Sequence, residues 1–197
     1  MEHRAGPIQA NRSLSALIMA SFVLSAFAGL YIVAAPPPSA AQAPIGDLIV
    51  TSGTYTIENI EQPVDGDVEV SGSGELIVRN GALMVISNVG APKTVTVSAG
   101  GTLTLEHGVL TSYLNQIDPW PFLTLLIDGG TVVASDTSLL SFPGYITIQN
   151  GGELILRDSS IEPLPEGDLA LYVSGSLFLT EDSANDGPTI TVSGASL

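Results

Sequence analysis

Cysteine is absent from this 197-residue chain, and basic residues are scarce: five lysines and arginines stand against 20 aspartates and glutamates, giving a formal net charge of −15. Without cysteine the chain can form no disulfide framework. Only Arg79, Lys93 and Arg157 are basic beyond residue 12. The basic surface that nucleic-acid binding requires is therefore missing, and an acidic surface instead favours solubility and cation binding.

Recognisable catalytic and cofactor motifs are also missing. His107 is the only histidine after residue 3, and a single histidine in a chain without cysteine cannot form a zinc site. No nucleophile-elbow motif supplies a serine to pair with His107, and no phosphate-cradling glycine loop leads into a helix. The motifs thus point to no cofactor and to no defined enzyme class.

The longest apolar run is Leu14 to Ala35, which contains 22 residues without a charge. It is long enough to span a bilayer and longer than the hydrophobic region of a usual signal peptide. Arg4 and Arg12 precede it, so the positive-inside rule predicts that the amino end stays in the cytoplasm and that the rest is outside. The apolar side chains expected in the membrane are Leu14, Ile18, Phe22, Leu24, Phe27, Leu30 and Ile32.

The sequence therefore predicts a secreted or membrane-anchored protein with a segmented amino-terminal part. Residues 1–12 would be a cytoplasmic n-region and residues 13–35 a hydrophobic helix, either a cleaved signal peptide or an uncleaved anchor. Ala41-Gln42-Ala43 offers a cleavage motif for the first alternative. Residues 36–46 are rich in proline and alanine and predict an extended tether.

A repeated segment organises the rest of the chain. Five stretches align on Gly74, Gly101, Gly130, Gly152 and Gly175. Apolar residues recur at the third, fifth and tenth positions, and a polar residue recurs at the seventh; glycine suits the corners because it reaches positive φ without a Cβ clash. The third-position residues are Leu76, Leu103, Val132, Leu154 and Leu177; the fifth are Val78, Leu105, Ala134, Leu156 and Leu179; the seventh are Asn80, His107, Asp136, Asp158 and Glu181; the tenth are Leu83, Leu110, Leu139, Ile161 and Ala184.

A second strand precedes most of these glycines. Its apolar pairs are Val68 and Val70, Val95 and Val97, Ile146 and Ile148, Leu171 and Val173, and Ile190 and Val192. Leu123 to Ile127 takes the same place but is apolar almost throughout, which leaves its inward face open. Each coil would then hold two clear strands and a short third one, and stacking of the coils would bury a continuous core.

This G-x-L-x-(V/L)-x-(N/D) rhythm over about residues 45 to 197 resembles the right-handed parallel β-helix proteins of the pectin-lyase-like superfamily, particularly their non-enzymatic cell-surface and adhesin-type members. The expected fold is an all-β, right-handed parallel β-helix of about five to six coils, preceded by one hydrophobic helix. Residues 47–65 would cap the solenoid, and residues 66–197 would form coils with an open carboxyl end, in a fragment or a protein covered there by another chain. An antiparallel β-sandwich is the competing fold, but its strands have no reason to repeat a sequence.

The resemblance also implies a hydrolase or lyase alternative, since relatives often cleave acidic polysaccharides with carboxylates, calcium and an arginine. Asp136 and Asp158 would stack in neighbouring coils about 5 Å apart, a separation that suits a carboxylate pair, and Arg157 lies beside them in sequence. Polar residues also line such corners simply because corners face water. We assign no catalytic residue and keep these three as candidates.

Two further stretches are candidate binding sites. Trp120, the only tryptophan, lies in the insertion between Tyr113 and Leu123 and either anchors this loop or stacks on a sugar ring. Asp182, Asn185 and Asp186 could offer oxygen ligands to Ca²⁺, but neither a known calcium-loop motif nor a calcium-binding repeat is present, and a solvated turn is the simpler explanation. Calcium is therefore the only ion to consider.

Taken together, the sequence predicts an exported structural or interaction protein of the cell surface, part of an envelope layer, filament or adhesin. Its expected partners are further copies or neighbouring surface proteins at the open solenoid end, a glycan, and the membrane through residues 13–35. A polysaccharide-active enzyme using Asp136 and Asp158, and a carbohydrate-binding module using Trp120, are the alternatives.

Overall fold

The structure, a computed structural model, describes residues 42–87, 92–114, 123–164, 167–181 and 188–190, which belong to one compact unit spanning 39–197. These residues form strands and no helix. The strands are β1 (Leu48–Glu58), β2 (Glu61–Val64), β3 (Val68–Arg79), β4 (Ala82–Ser87), β5 (Lys93–Ser98), β6 (Thr102–Glu106), β7 (Val109–Leu114), β8 (Leu123–Asp128), β9 (Thr131–Ser135), β10 (Leu139–Ser141), β11 (Gly144–Gln149), β12 (Glu153–Arg157), β13 (Ser160–Glu162), β14 (Leu169–Val173), β15 (Ser176–Thr180) and β16 (Thr189–Ile190).

The strands stack as a parallel β-solenoid of about five turns. One sheet runs β14-β11-β8-β5-β3-β6-β9-β12-β15, with β1 also paired to β3, and the other runs β16-β13-β10-β7-β4-β2. Residues 68–70 of β3 pair with β5, whereas residues 75–79 pair with β6, so this one strand joins two sides of the coil. The pairs between named strands are parallel, which confirms the solenoid and excludes the antiparallel sandwich.

The predicted apolar columns form the core. Within the middle coils the third- and fifth-position side chains are fully buried, for example Leu76, Val78, Leu103 and Leu105. In β8 the structure resolves the ambiguous face, because Leu123, Leu125 and Ile127 are buried and Leu126 is only half-buried. Each buried side chain therefore lies above its equivalent in the next coil, and the core is continuous along the solenoid.

The sequence prediction of the tenth column is wrong by one residue in one coil. The sequence places Leu139 in this column, but Leu140 is the residue that pairs with both Leu110 and Ile161. Leu140 is buried and Leu139 is half-buried. The corner between Asp136 and Leu139 contains one residue more than the equivalent corners, and this extra residue shifts the count by one.

The sequence prediction also assigns the last described strand to the wrong position in its coil. Ile190 pairs with Ile161, so β16 is the third strand of its coil and extends the tenth column. The prediction that Ile190 and Val192 begin a new coil as a first-strand pair is therefore wrong for Ile190, and Ile190 replaces Ala184 in the column. Val192 and Ala184 lie outside the described residues.

The prediction that corner glycines reach positive φ is confirmed at Gly72, Gly100, Gly129 and Gly151, but the five glycines on which the repeats align serve another purpose. The five shared glycines do not have positive φ; the positive values belong to the preceding residues Gly100, Gly129 and Gly151, at 83°, 75° and 78°. A Cβ on any of the five would lie within 2.6 Å of a backbone carbonyl oxygen of the neighbouring coil. The second glycine of each pair is thus required by close approach between coils, and the first by backbone conformation.

Residues 47–65 supply strands of the first coil. β1 pairs with β3 over almost its whole length, and β2 pairs with β4. The columns extend into this coil, because Gly53, Tyr55 and Ile57 align with Gly74, Leu76 and Val78. Ile45 adds a parallel bridge to Val64 beyond β2 and packs against the core.

Candidate functional site

The polar seventh column lies at a corner where the backbone turns through the left-handed region. Asn80, His107, Asp136 and Asp158 have φ values of 48°, 49°, 56° and 46°, and Asn59 continues the column into the first coil with φ 56°. Asparagine, aspartate and histidine are enriched several-fold among non-glycine residues in this conformation. The residue types of the column are therefore explained by the backbone they must adopt, before any chemistry is considered.

Backbone hydrogen bonds join this corner from coil to coil. The amide of Asn59 donates to the carbonyl of Arg79 at 3.0 Å, and that of Asn80 donates to the carbonyl of Glu106 at 3.0 Å. His107 donates in the same way to Ser135 at 3.3 Å. These bonds satisfy polar groups that would otherwise be left unpaired where the strand ends.

The two candidate carboxylates occupy the same corner of neighbouring coils but differ in surroundings. Asp136 is exposed and its Oδ2 accepts a hydrogen bond from Ser135 Oγ at 3.0 Å. Asp158 is half-buried, and its backbone carbonyl accepts from the amide of Thr137 at 2.8 Å. Arg157 is exposed at the end of β12, in register with Thr180. The corner thus brings the carboxylates onto one edge, where both also maintain the turn.

No metal centre is built from the part of the chain that the structure describes: no group of three or more histidine, aspartate or glutamate side chains there could hold an ion. The calcium candidates Asp182, Asn185 and Asp186 lie outside the described residues, as does Trp120. The predicted membrane residues between Leu14 and Ile32 also lie outside them. Within the described ranges, no helix has the length and apolar character needed to cross a membrane.

Charged side chains link three coils along one outer column. Arg79 Nε donates to Glu106 Oε2 at 2.6 Å, and Arg79 Nη1 lies 3.8 Å from Glu58 Oε1. The hydrogen bond and the charge of Glu106 raise the pKa of Arg79. The arginine is therefore bridged on both sides by carboxylates of the coils before and after its own.

The end formed by β14, β15 and β16 differs from the rest of the solenoid. We define the C-terminal face as the inward side chains of these strands: Leu171, Val173, Leu177, Leu179 and Ile190. Val173 is 46% exposed and Leu179 is 50% exposed, although their equivalents Ile148 and Leu156 in the preceding coil are fully buried. The other three are half-buried against the core.

The outer side of the same end is also apolar. Tyr172 and Phe178 are 56% and 46% exposed. The Tyr172 ring lies beside Tyr145 of the preceding coil, with ring centroids 6.1 Å apart. The repeat pattern predicts that Val173 and Leu179 are buried in the core, and it does not predict their exposure. The signal in the sequence that marks this end as different is the segment from Leu169 to Thr180, which has no charged residue.

The opposite end is closed. Leu48, Val50 and Ile57, the inward residues of the terminal strand β1, are 7%, 6% and 1% exposed. Gln62 and Val64 of β2 are buried as well, and Tyr55, at 40% exposure, is the inward side chain of these two strands that reaches solvent. The two ends of the described solenoid are therefore chemically different surfaces.

Comparison of the chain with known proteins finds no family model that matches it, and neither a curated protein nor a solved structure that matches it significantly.

Proposed function

We propose that the protein is an exported structural or interaction protein of the cell surface, in which a rigid acidic solenoid presents its C-terminal face for association. The observation that carries the proposal is this face: core-column residues Val173 and Leu179 are about half exposed in a fold that otherwise buries these columns completely. Exposed apolar surface next to unpaired strand edges is the usual signature of a docking surface.

The arrangement of polar groups supports a passive function. Four of the five seventh-column residues, Asn80, His107, Asp136 and Asp158, have positive φ, and the backbone amides of Asn80, His107 and Asp158 donate hydrogen bonds to the next coil. At these corners the column therefore has a conformational purpose. A catalytic centre needs a nucleophile, base and stabilising donors held around a reacting atom. At this corner Asp136 is exposed and Asp158 is half-buried, and the described residues include no group of three or more histidine, aspartate or glutamate side chains that could hold a metal ion.

Export is supported by the uncharged run from Leu14 to Ala35 with Arg4 and Arg12 before it. Once outside, a chain of net charge −15 resists nonspecific aggregation by like-charge repulsion. Its association would then be restricted to surfaces with little charge, which is the character of the C-terminal face.

Protease treatment of intact cells tests this location. The full chain, with an epitope tag after residue 197, is expressed in a bacterial host, and the cells are treated with a nonspecific protease before and after lysis. We expect loss of the tag from intact cells while a cytoplasmic marker survives. Protection of the tag until lysis would contradict surface location.

A further inference from the structure

We propose that the C-terminal face binds the same face of a second copy, so that the chain forms a two-fold, tail-to-tail dimer. The inference rests on the proposed function, because it names the partner of the docking surface described there. Such a dimer cannot add further copies through this face, unlike the filament that the sequence analysis names as one possible assembly. Four features of the described residues support it.

The first feature is charge. Every earlier coil has at least one charged residue in its first two strands, such as Glu58 in β1, Asp128 in β8 and Arg157 in β12. The segment from Leu169 to Thr180, which contains β14 and β15, has none. Edge strands are normally protected by charges. Two acidic chains can approach each other most closely where neither carries charge.

The second feature is the difference between the ends. Head-to-tail stacking would require the C-terminal face to meet an equally open β1 and β2, and such a contact would extend into a filament. However, Leu48, Val50 and Ile57 are already buried. Of the inward side chains described there, Tyr55 alone is exposed. Among the described residues the C-terminal face therefore has no open counterpart at the β1 and β2 end, and the same face of a second copy supplies one.

The third feature is the symmetry of the two edge strands. β14 and β15 have five residues each and flank Ser174 and Gly175. A two-fold axis through Gly175 would place β14 of one copy antiparallel to β15 of the other. In this register Val173 faces Leu177 of the second copy, and Leu171 faces Leu179. Inward side chains then meet inward side chains, as an antiparallel ladder with a shared core requires.

The fourth feature is backbone pairing. Within the described residues β14 pairs only with β11, and β15 pairs only with β12. Their outer edges can add a strand by β-augmentation, which provides affinity through main-chain hydrogen bonds. The pairing also places both sets of half-exposed leucines and valines in a common apolar layer.

The size of the face sets the expected strength. A five-residue strand is about 16 Å long, so an end face with sides of this length offers on the order of 300 Å² per copy. Standard specific interfaces bury about 800 Å² per partner. We therefore expect a weak dimer with a dissociation constant in the micromolar range or above, which forms where the local concentration is high.

Sedimentation equilibrium of the full chain in density-matched detergent tests the stoichiometry. We expect a reversible monomer–dimer equilibrium that Leu179→Asp weakens at least tenfold and that the matched control Tyr55→Asp, at the opposite end, leaves unchanged. Circular dichroism melting of each variant confirms that it folds. A monomer at all concentrations overturns the inference, as does an equal loss in both variants or growth beyond the dimer.

Disulfide formation tests the register, since the chain has no cysteine of its own. In the proposed dimer Val173→Cys of one copy faces Leu177→Cys of the other at about 5 Å between Cα atoms. Residues 173 of the two copies would be about 13 Å apart along the strands. We expect cross-linked dimers when the two variants are mixed and oxidised, and none from either alone. Cross-linking by one variant alone, or by neither in solutions that contain dimer, overturns the register.

The two proposals fail in different ways. Loss of the dimer with the tag still accessible on intact cells overturns only the tail-to-tail pairing. A tag that is protected until lysis overturns surface location even when the dimer forms.

Discussion

At the residue scale, the corner conformations decide which side chains each coil accepts. Seven described residues other than glycine have positive φ, and six of them are asparagine, aspartate or histidine. The exception is Thr137, with φ 62°. A β-branched side chain in the left-handed region is sterically strained. Thr137 follows Asp136 in the corner that carries the extra residue, so the insertion is accommodated at some cost in stability.

Replacement of Thr137 by asparagine should stabilise the protein. Asparagine tolerates the left-handed region and leaves the unfolded chain little changed, so we expect a gain of about 1 kcal/mol in the free energy of unfolding. The urea midpoint, with an unchanged slope, measures the gain. Thr131→Asn, on regular strand β9, is the matched control and should destabilise. A loss of stability in Thr137→Asn would show that the threonine is not strained.

The double variant Asp136→Asn, Asp158→Asn should leave the fold intact. Asparagine adopts the same positive φ and occupies this column already at Asn59 and Asn80. We expect the urea midpoint to change by less than the equivalent of about 1 kcal/mol and the dimer to persist. Loss of a polysaccharide-cleaving activity with retained folding would instead support the enzyme alternative.

Residue types alone predicted the columns but not the conformational reasons for them. The polar seventh column was recognised, whereas its positive φ values were not, because asparagine and aspartate are equally common in solvated turns. The predicted positive φ occurs at Gly100, Gly129 and Gly151 but not at the shared glycines that follow them. The proximity of a carbonyl oxygen from the preceding coil, as at Gly152 and Ile127, is a tertiary contact that no local pattern contains.

At the element scale, each glycine pair combines two separate requirements in adjacent positions. Gly151 has φ 78°, and a Cβ added there would meet no atom within 4 Å, whereas a Cβ on Gly152 would lie 2.5 Å from the carbonyl oxygen of Ile127. Gly151→Ala should therefore cost about 1–2 kcal/mol for backbone conformation alone. Gly152→Ala should cost about 3 kcal/mol, because it forces two coils apart.

Urea unfolding of the two alanine variants distinguishes these costs. The replacement Gly151→Asn should be destabilised much less than Gly151→Ala, since asparagine tolerates positive φ. Gly152→Asn should recover nothing, because its Cβ meets the same carbonyl oxygen. Equal recovery at both positions would contradict the division of roles.

The Arg79 link between coils should contribute modestly. Both its neighbours are partly exposed, with side-chain exposures of 34% for Glu106 and 50% for Glu58. Solvent screening leaves such exposed pairs only a small share of the free energy of unfolding. We expect Arg79→Met to lower the urea midpoint slightly in dilute buffer and hardly at all in 1 M salt, where the Debye length is about 3 Å. A loss that is independent of salt would indicate packing instead.

The pH dependence of this link follows from the direction of the shift. Glu106 raises the pKa of Arg79 in the folded chain. The stabilisation is therefore fully present at any pH below the pKa of Arg79 in the unfolded chain. It is lost only as the pH rises through the pKa of Arg79 in the folded chain. That window lies in strongly alkaline solution. Between about pH 6 and about pH 9 the link should therefore remain constant.

Corner lengths limited what the sequence could predict about elements. Strand pairs such as Val95 and Val97 were assigned correctly, because alternation with a period of two is a local signal. The third strands were harder, since β10, β13 and β16 have only two or three residues. One extra corner residue before Leu139 is enough to misplace Leu139, and the larger number of residues between Glu181 and Ile190 than between Asp158 and Ile161 is enough to misplace Ile190.

At the scale of the whole molecule, the net charge opposes the association of two copies, whereas the C-terminal face favours it. The chain carries a net charge of −15, so two copies repel each other at low ionic strength. An interface without charges gains nothing from ion pairs that salt could weaken. Salt should therefore strengthen the dimer, whereas it weakens interfaces held by charge pairs.

Sedimentation equilibrium at two salt concentrations measures this effect. Between about 10 mM and about 150 mM sodium chloride the Debye length falls from about 30 Å to about 8 Å, and we expect the dissociation constant to fall by on the order of tenfold. Calcium chloride at matched ionic strength is the control. A larger effect of calcium than of sodium would point to cation binding by the acidic chain, and weaker association in salt would contradict an uncharged interface.

In-register stacking also makes the length of the solenoid adjustable. Because the columns stay in register from coil to coil, a tandem duplication of residues 130–151, which carry one complete set of columns from Gly130 up to Gly152, would insert one further coil. The two ends would move apart by about 4.8 Å and keep their own side chains. Duplication of a coil within the gene would therefore lengthen the solenoid in equal steps and leave the side chains of both end surfaces unchanged.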